Sequence, residues 1–244
     1  MNAELHGADK EVPRVIRVGF HEELIAAEAD LVAQAGLVKA QLAHVLESLL
    51  SRDRDEAASI VARDDEVDEG YVSLEMRILN LLALQAPVAS DLRMVSAILH
   101  SNLHVERMGD LCVNIAKFIM NQHPYPPDSP MVSRLSDMGM RAGEMLEIAM
   151  TALTSRSLEL AELLPEKDDV IDRLNRGMLD DLKTYVDDDL SFEWATNLVL
   201  VARYLERFGD HAVDVGEQIA FLVTGVFREF QDASHPDDPI PGAS

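Results

Sequence analysis

The chain has 244 residues, which is enough for one large domain or two small ones. Acidic residues outnumber basic ones, and the net charge is −23. This charge repels phosphate backbones and anionic lipid surfaces, which excludes direct nucleic-acid binding. The single cysteine allows no intrachain disulfide, and the sequence has neither an apolar stretch long enough to span a membrane nor a charged-then-apolar leader at Met1. We therefore expect a soluble cytoplasmic protein without direct membrane insertion.

The first half of the sequence predicts three helices. Apolar residues recur at intervals of three or four over 20–49, which is the period of one buried helix face. Asp53, with a glutamate three residues later, resembles a capping box and so predicts the start of a second helix, which ends before Pro87. A third helix is predicted over 90–122.

The second half repeats this plan after a proline-rich segment. Four prolines within 124–130 mark the clearest boundary in the chain, and Ser129 with Pro130 forms an N-cap and N1 pair that starts a helix reaching about residue 154. Two more helices are predicted. They cover 157–188, with Pro165 inside the helix or at a break in it, and 191–230.

Six helices in two sets of three, with no alternating strand pattern, predict an all-α protein built as two pseudo-symmetric three-helix bundles, elongated overall. The expected organisation has four parts. They are a flexible N-terminal extension over 1–18, a first repeat over 19–124, a second repeat over 130–230 and a disordered tail over 231–244.

Acidic pairs four residues apart lie on the second and third predicted helices of both halves. Residues at this spacing share one helix face, where like charges destabilise the helix by roughly a few tenths of a kcal/mol. Either neighbouring arginines or bound cations that prefer oxygen ligands, such as Fe, Mn, Mg or Zn, would offset the repulsion. The pairs are Asp64 and Asp68, Glu106 and Asp110, Asp168 and Asp172, and Glu206 and Asp210.

The third-helix pairs belong to a repeated Glu-Arg-x-Gly-Asp motif. Gly109 and Gly209 each cost about 1 kcal/mol relative to alanine inside a helix, so either tight helix packing or clearance for an ion is needed to explain them. These glycines also stand where a di-iron bundle would carry the histidine of Glu-x-x-His, which argues against an oxygen-activating oxidase. His104 is expected on the surface. No arrangement typical of a catalytic site is recognised, and we expect no enzymatic activity.

Several segments resemble the PhoU family, the bacterial regulators of phosphate uptake. The resemblance covers roughly 20–226 and is carried by LLALQAPVASDLRMV (81–95), ERMGDLCVNIAK (106–117) and RYLERFGDHAVDVGEQIAFLVTG (203–225). It implies two three-helix bundles related by pseudo-symmetry, and metal clusters on the acidic motifs of some members. By position, it implies that all eight acidic residues named above are metal ligands. One departure is His104, which stands where many relatives have an acidic residue.

The resemblance also implies partners. PhoU-like proteins act beside a phosphate ABC transporter and a phosphate-sensing histidine kinase, and restrain uptake and kinase output when phosphate is plentiful. The expected partners of this chain are therefore the ATPase subunit of such a transporter and the kinase. A homodimer is a separate expectation, since the sequence does not give the oligomeric state.

Three functions remain open at this point. The first is a non-enzymatic adaptor that holds metal on its acidic faces. The second is a carboxylate-metal enzyme, a hydrolase or oxidase, which would need a general base and an open metal position. The third is a metal-free helical scaffold in which arginines such as Arg107 and Arg207 neutralise the carboxylates.

Overall fold

The computed structural model describes residues 14–84, 87–121 and 129–230, with residues 14–18 described through their backbone alone. Over these ranges the chain forms α-helices, one short 3-10 helix and no strand, which confirms the predicted all-α class. The helices form two bundles of matching order. The first bundle holds α1 (Arg14–Ser51), α2 (Arg54–Ala62), α3 (Asp64–Leu84) and α4 (Ala89–Asn121), and the second holds α5 (Pro130–Ser155), α6 (Leu158–Glu162), α7 (Leu164–Leu182) and α8 (Asp189–Thr224).

The middle helix of the first bundle is broken in two, so the prediction of one continuous helix after Asp53 is wrong. Asp53 does cap α2, because its Oδ1 accepts hydrogen bonds from two backbone N–H groups of the first turn at 3.0 Å each. Arg63 then ends α2, and its N–H donates to the Ile60 carbonyl at 3.2 Å. The acidic residues at 64–66 open α3, where the partial positive charge of a helix N-terminus favours them.

The second bundle follows its predicted boundaries more closely. Ser129 caps α5 by accepting a hydrogen bond from the Met131 N–H at 3.3 Å, and Pro130 occupies the first turn, as predicted. The break in the middle helix falls at Leu163, and Pro165 lies in the first turn of α7, where its missing N–H leaves no hydrogen bond unmade.

The last helix is shorter than predicted. It ends at Thr224 rather than near Phe230, because Gly225 adopts a left-handed conformation with φ of 74° and donates its N–H to the Phe221 carbonyl. The chain after it folds back along α8, and the Phe230 N–H donates to Glu217 Oε1 at 2.7 Å.

The centre of the protein is the interface between α4 and α8, which also joins the two bundles. Both helices are buried along most of their length, with residues such as Val105, Met108, Leu205 and Phe208 almost fully excluded from solvent. Helix α3 packs against α4 and α7 packs against α8. The four helices that carry the acidic pairs are therefore neighbours, two in each bundle.

Some predictions fall on parts of the chain that the structure does not describe. Most of the 1–18 extension, the proline-rich segment at 122–128 and the 231–244 tail lie outside the described residues, although α1 already begins at Arg14. In the described part of the chain, none of the helices has both the length and the apolar character needed to cross a bilayer.

Candidate functional site

The first acidic face consists of Asp64 and Asp68 on α3 and Glu106 and Asp110 on α4. Burial raises the pKa of Asp64, and the negative charges of Asp68 and Asp110 raise it further. Burial also raises the pKa of Glu106, with contributions of the same sign from the other three carboxylates. The structure therefore brings the four predicted residues of the first bundle into one electrostatic environment, where the neighbouring carboxylates oppose the ionisation of Asp64 and Glu106.

Arg107 offsets part of this repulsion from the solvent side. Its Nη1 donates to Asp110 Oδ2 at 2.9 Å, and its Nε lies 3.4 Å from Glu106 Oε2. The arginine side chain is 54% exposed, so its charge is well solvated. In the first face, the arginine inside the motif thus spans both carboxylates of the motif.

The second acidic face consists of Asp168 and Asp172 on α7 and Glu206 and Asp210 on α8. Burial raises the pKa of Glu206 to about 7, with Asp210 and Asp172 adding to the shift and Arg203 opposing it. The pKa of Asp210 is raised by the same main cause, burial, and again by Asp172. These are the predicted residues of the second bundle, and the structure places them on the facing sides of α7 and α8.

Glu206 shows most clearly that this face suits a cation. Its side chain is only 10% exposed. Oε1 accepts a hydrogen bond from Arg203 Nη1, whereas Oε2 is buried and has no hydrogen-bond partner among the described residues. An unpaired buried carboxylate oxygen costs free energy that a metal ion would recover. Oxygen-only donors of this kind suit hard cations such as Mg²⁺, Mn²⁺ and iron.

The two motif glycines make room for different neighbours. A Cβ on Gly109 would lie 3.1 Å from Val67 Cγ1, so the absence of a side chain at this position allows α3 and α4 to pack closely. A Cβ on Gly209 would lie 2.5 Å from Asp168 Oδ1, so this glycine leaves space for a carboxylate of the second face. Close packing thus explains Gly109, whereas Gly209 adjoins one of the proposed metal ligands, and clearance for an ion at this position stays a prediction.

A third cluster lies across the interface between the bundles and was not predicted. The His–Asp cluster consists of His104 on α4 with His211 and Asp214 on α8. The two Nδ1 atoms are 3.2 Å apart, and they lie 3.3 Å and 3.4 Å from Asp214 Oδ2. Burial lowers the pKa of His104, with Asp214 opposing the shift. The expectation of a surface histidine at 104 is wrong, because α8 covers this side chain and leaves only 20% of it exposed.

Comparison of the two repeats could not have found this cluster. The positions equivalent to His104 and His211 in the other repeat hold Tyr204 and Leu111, because His104 precedes the motif in the first repeat and His211 follows it in the second. The only local signal is the spacing of His211 and Asp214, which puts them on one helix face. Knowing that α4 packs against α8 is needed to add His104.

Similarity to known proteins covers most of the chain. The family model described as "PhoU domain" matches residues 31–119 and 135–219, one match in each bundle. Phosphate-specific transport system accessory protein PhoU homolog 1 of Mycobacterium leprae is 30% identical over 235 residues, 93% of this chain and 100% of that protein. A PhoU homolog of Caulobacter vibrioides is 30% identical over 84% of this chain and 90% of its own length.

Solved structures show the same fold. The crystal structure of PhoU from Pseudomonas aeruginosa matches 85% of this chain and 100% of its own chain with a TM-score of 0.78 at 27% identity. The phosphate transport system regulatory protein PhoU from Streptococcus pneumoniae matches 86% of this chain and 100% of its own, with a TM-score of 0.78 at 28% identity.

Proposed function

This chain belongs to the PhoU family, and we propose that it is a cytoplasmic regulator of phosphate homeostasis. In this proposal it binds the ATPase subunit of a phosphate ABC transporter and the cytoplasmic part of a phosphate-sensing histidine kinase, and restrains uptake and starvation signalling when phosphate is plentiful. The support comes from relatives that are named as accessory proteins of the phosphate-specific transport system and match over nearly their whole length. The proposed role is non-enzymatic.

We further propose that the acidic faces hold metal ions, with Asp168, Asp172, Glu206 and Asp210 as ligands in the second face and Asp64, Asp68, Glu106 and Asp110 in the first. The observation that carries this proposal is the buried Oε2 of Glu206, which lacks a hydrogen-bond partner in the described part of the chain while burial raises the pKa of its carboxyl to about 7. A bound cation would supply positive charge that keeps these carboxylates ionised at neutral pH.

The protein's own contribution is to hold the ligands in place. Glu206 and Asp210 lie one turn apart on α8, a buried helix that cannot shift without disturbing the interface between the bundles. Gly209 lies between them and admits the Asp168 carboxylate from α7. Ligands from two helices then fix the position of α7 against α8, and so shape the surface that a partner would meet.

A metal-free scaffold is the second candidate, and one observation favours it at the first face. Arg107 contacts both Glu106 and Asp110, which is the neutralisation that such a scaffold would use. The two faces need not behave alike. The enzyme alternative has no comparable support, and turnover of a phosphate ester by the metal-loaded protein would be needed to restore it.

The metal proposal is tested by elemental analysis of the purified protein after loading with Mn²⁺ or Fe²⁺ and removal of free ions. Glu206→Gln combined with Asp210→Asn should lower bound metal by the content of one face, because both substitutions keep the shape and remove the charge. Glu193→Gln, an exposed residue on the same helix, serves as the matched control and should bind as much metal as the wild type. Unchanged metal content in the double variant would remove the metal role but leave the regulatory role standing.

The regulatory proposal is tested by binding measurements with the transporter ATPase subunit and the kinase from the same organism. We expect the wild type to bind at least one of them, and the double variant to bind more weakly. Cells that lack the protein should express phosphate-starvation genes in phosphate-rich medium. Normal repression of the phosphate-starvation genes in such cells would contradict the proposal. The homodimer is also part of the proposal, and light scattering of the purified protein tests it.

A further inference from the structure

The His–Asp cluster joins the two bundles at the centre of the molecule with ligand atoms of a different chemistry from the acidic faces. We propose that His104, His211 and Asp214 bind one transition-metal ion of the Zn²⁺ type, which links α4 of the first bundle to α8 of the second. In this site the imidazole Nδ1 atoms and Asp214 Oδ2 are the ligand atoms. The inference goes beyond the regulatory role proposed above and does not depend on metal at either acidic face.

The distances between the ligand atoms fit such an ion. The three atoms form a nearly equilateral triangle with sides of 3.2, 3.3 and 3.4 Å. A tetrahedral zinc ion with bonds of about 2.0–2.1 Å separates its ligands by about 3.3–3.4 Å. An ion placed on the axis of this triangle would thus contact all three atoms without large movement of the helices.

Hydrogen bonds alone do not account for all three close contacts. A neutral imidazole Nδ1 is either a donor or an acceptor, and an ionised carboxylate only accepts. If both Nδ1 atoms carry protons and donate to Asp214, they confront each other as two donors 3.2 Å apart. If one Nδ1 donates to the other, the accepting nitrogen instead faces the carboxylate as a second acceptor. A cation satisfies the lone pairs of all three atoms together.

The donor set distinguishes this site from the acidic faces. Two imidazole nitrogens with one carboxylate favour Zn²⁺ and the late transition metals, whereas sets of carboxylates alone favour harder ions. The side chains of His104 and His211 are 20% and 19% exposed, and that of Asp214 is 42% exposed. The cluster is therefore partly shielded, while Asp214 leaves a path by which an ion can enter and a solvent-facing position for a water ligand.

The structural consequence would be a cross-link between the bundles. His104 lies on α4, and the other two ligands lie on α8, so removing either side opens the site. Bound Zn²⁺ should raise the thermal midpoint of unfolding, because an ion that binds only the folded arrangement stabilises it by mass action.

The first test needs no variant. Zinc X-ray absorption on wild-type protein loaded with one equivalent of Zn²⁺ should show two imidazole ligands per ion, and nitrogen-15 NMR of the histidine rings should show that the Nδ1 atoms of His104 and His211 shift. A shell of oxygen ligands alone, or unchanged signals from both rings, would overturn the proposal.

The second test measures zinc affinity by competition with a chromophoric chelator. His104→Gln and His211→Gln should each weaken the tightest site at least about tenfold, since loss of an outer-shell partner of a metal ligand already costs 10–100-fold. His100→Gln is the matched control, because His100 is exposed on the same helix and its Nδ1 is hydrogen-bonded to the Ser96 carbonyl, outside the triangle of ligand atoms. It should bind zinc as the wild type does. Equal affinity in all four proteins would refute the site.

The zinc proposal for the His–Asp cluster and the metal proposal for the acidic faces can fail independently, and two variants distinguish them. The double variant Glu206→Gln with Asp210→Asn should keep the two-imidazole zinc signal even if it loses Mn²⁺ or Fe²⁺. The His104→Gln variant should in turn keep the metal of the acidic faces and the binding of the transporter and kinase fragments.

Discussion

The two acidic faces share one motif but differ in how their negative charge is balanced. In the first face Arg107, inside the motif, contacts Glu106 and Asp110 and is 54% exposed. In the second face the main compensating charge for Glu206 comes from Arg203, one turn before the motif, which donates a hydrogen bond to Glu206 Oε1 and also opposes the raised pKa of Asp210. Repetition of a sequence motif therefore does not guarantee two sites of equal strength.

The sequence around the motifs explains the difference. The position equivalent to Arg203 in the first repeat is Leu103, so Arg107 provides the compensating charge for Glu106. In the second repeat Arg207, the counterpart of Arg107, contributes less to Glu206 than Arg203 does. The second face holds the glutamate whose pKa burial raises to about 7, and for this reason we propose that it gains more from a metal ion than the first face does.

The comparison is tested most strongly by the stability of metal-free protein carrying Glu206→Gln. In the unfolded chain this carboxyl has the ordinary glutamate pKa of 4.5, whereas in the folded protein burial raises its pKa to about 7. Between these values the folded state binds more protons than the unfolded state, so stability falls as pH rises through this window and stays lower above it. The substitution removes this loss, and above pH 7 the variant should exceed the wild type by up to about 3 kcal/mol, since one pKa unit corresponds to about 1.4 kcal/mol.

Urea unfolding at several pH values measures this effect. Glu106→Gln is the matched variant of the first face and should gain less, because Arg107 already offsets part of its charge. An equal gain from both substitutions would show that the faces are electrostatically equivalent. The favourable charge of Arg203 is already included in the pKa of about 7, so a variant no more stable than the wild type above pH 7 would contradict the prediction.

The two glycines give a second, smaller contrast. Alanine should contribute about 1 kcal/mol of helix propensity at either site. In Gly109→Ala this gain is opposed by a shift of Val67 by a few tenths of an ångström, so we expect little net change. In Gly209→Ala the new methyl group must displace the Asp168 carboxylate, and we expect a net loss of about 1–2 kcal/mol together with weaker metal binding at the second face.

Unfolding free energies of the two alanine variants check this prediction. If the clash with Asp168 is the cause, adding Asp168→Ala to Gly209→Ala should restore most of the lost stability, although not the metal binding. A Gly209→Ala protein as stable as Gly109→Ala would show that the carboxylate moves without cost.

The glycine contrast also shows what could be predicted from the sequence. The motif spacing was sufficient to place four acidic residues on each pair of neighbouring helices, because helical periodicity decides which side chains share a face. It could not tell which glycine faces a carboxylate and which faces a valine, since that depends on how α3 and α7 pack. The break between α2 and α3 at Arg63 was not predicted. The acidic residues that follow it favour a helix N-terminus, but the same residues are equally typical of the solvent-exposed face of one continuous helix.

The His–Asp cluster marks a clearer limit. Its residues occupy non-equivalent positions in the two repeats and lie on helices that meet only because the bundles pack through α4 and α8. Periodicity within one helix predicts neither the order of the bundles nor the register between them. The fold class and the bundle count follow from local patterns, whereas contacts between the bundles require the tertiary structure.

The smallest expected effect concerns the motif arginines themselves. Arg107→Gln should cost less than about 1 kcal/mol of stability, because the arginine is 54% exposed and Asp110, its hydrogen-bond partner, is 39% exposed. It should nevertheless raise the Mn²⁺ affinity of the first face several-fold. The substitution removes a positive charge that contacts two of the proposed ligands, Glu106 and Asp110, and that competes with the metal ion for them. Arg207→Gln should change the affinity of the second face less, because Arg203 provides the larger compensating charge there.

Each arginine is best measured with the opposite face disabled. Calorimetric Mn²⁺ titration of Arg107→Gln is made in the background of Glu206→Gln with Asp210→Asn, and that of Arg207→Gln in the background of Glu106→Gln with Asp110→Asn. The gain from Arg107→Gln should shrink as salt is added, because screening weakens exposed charges first. A larger gain from Arg207→Gln would reverse the proposed order of the faces and identify the first face as the one that depends more on metal.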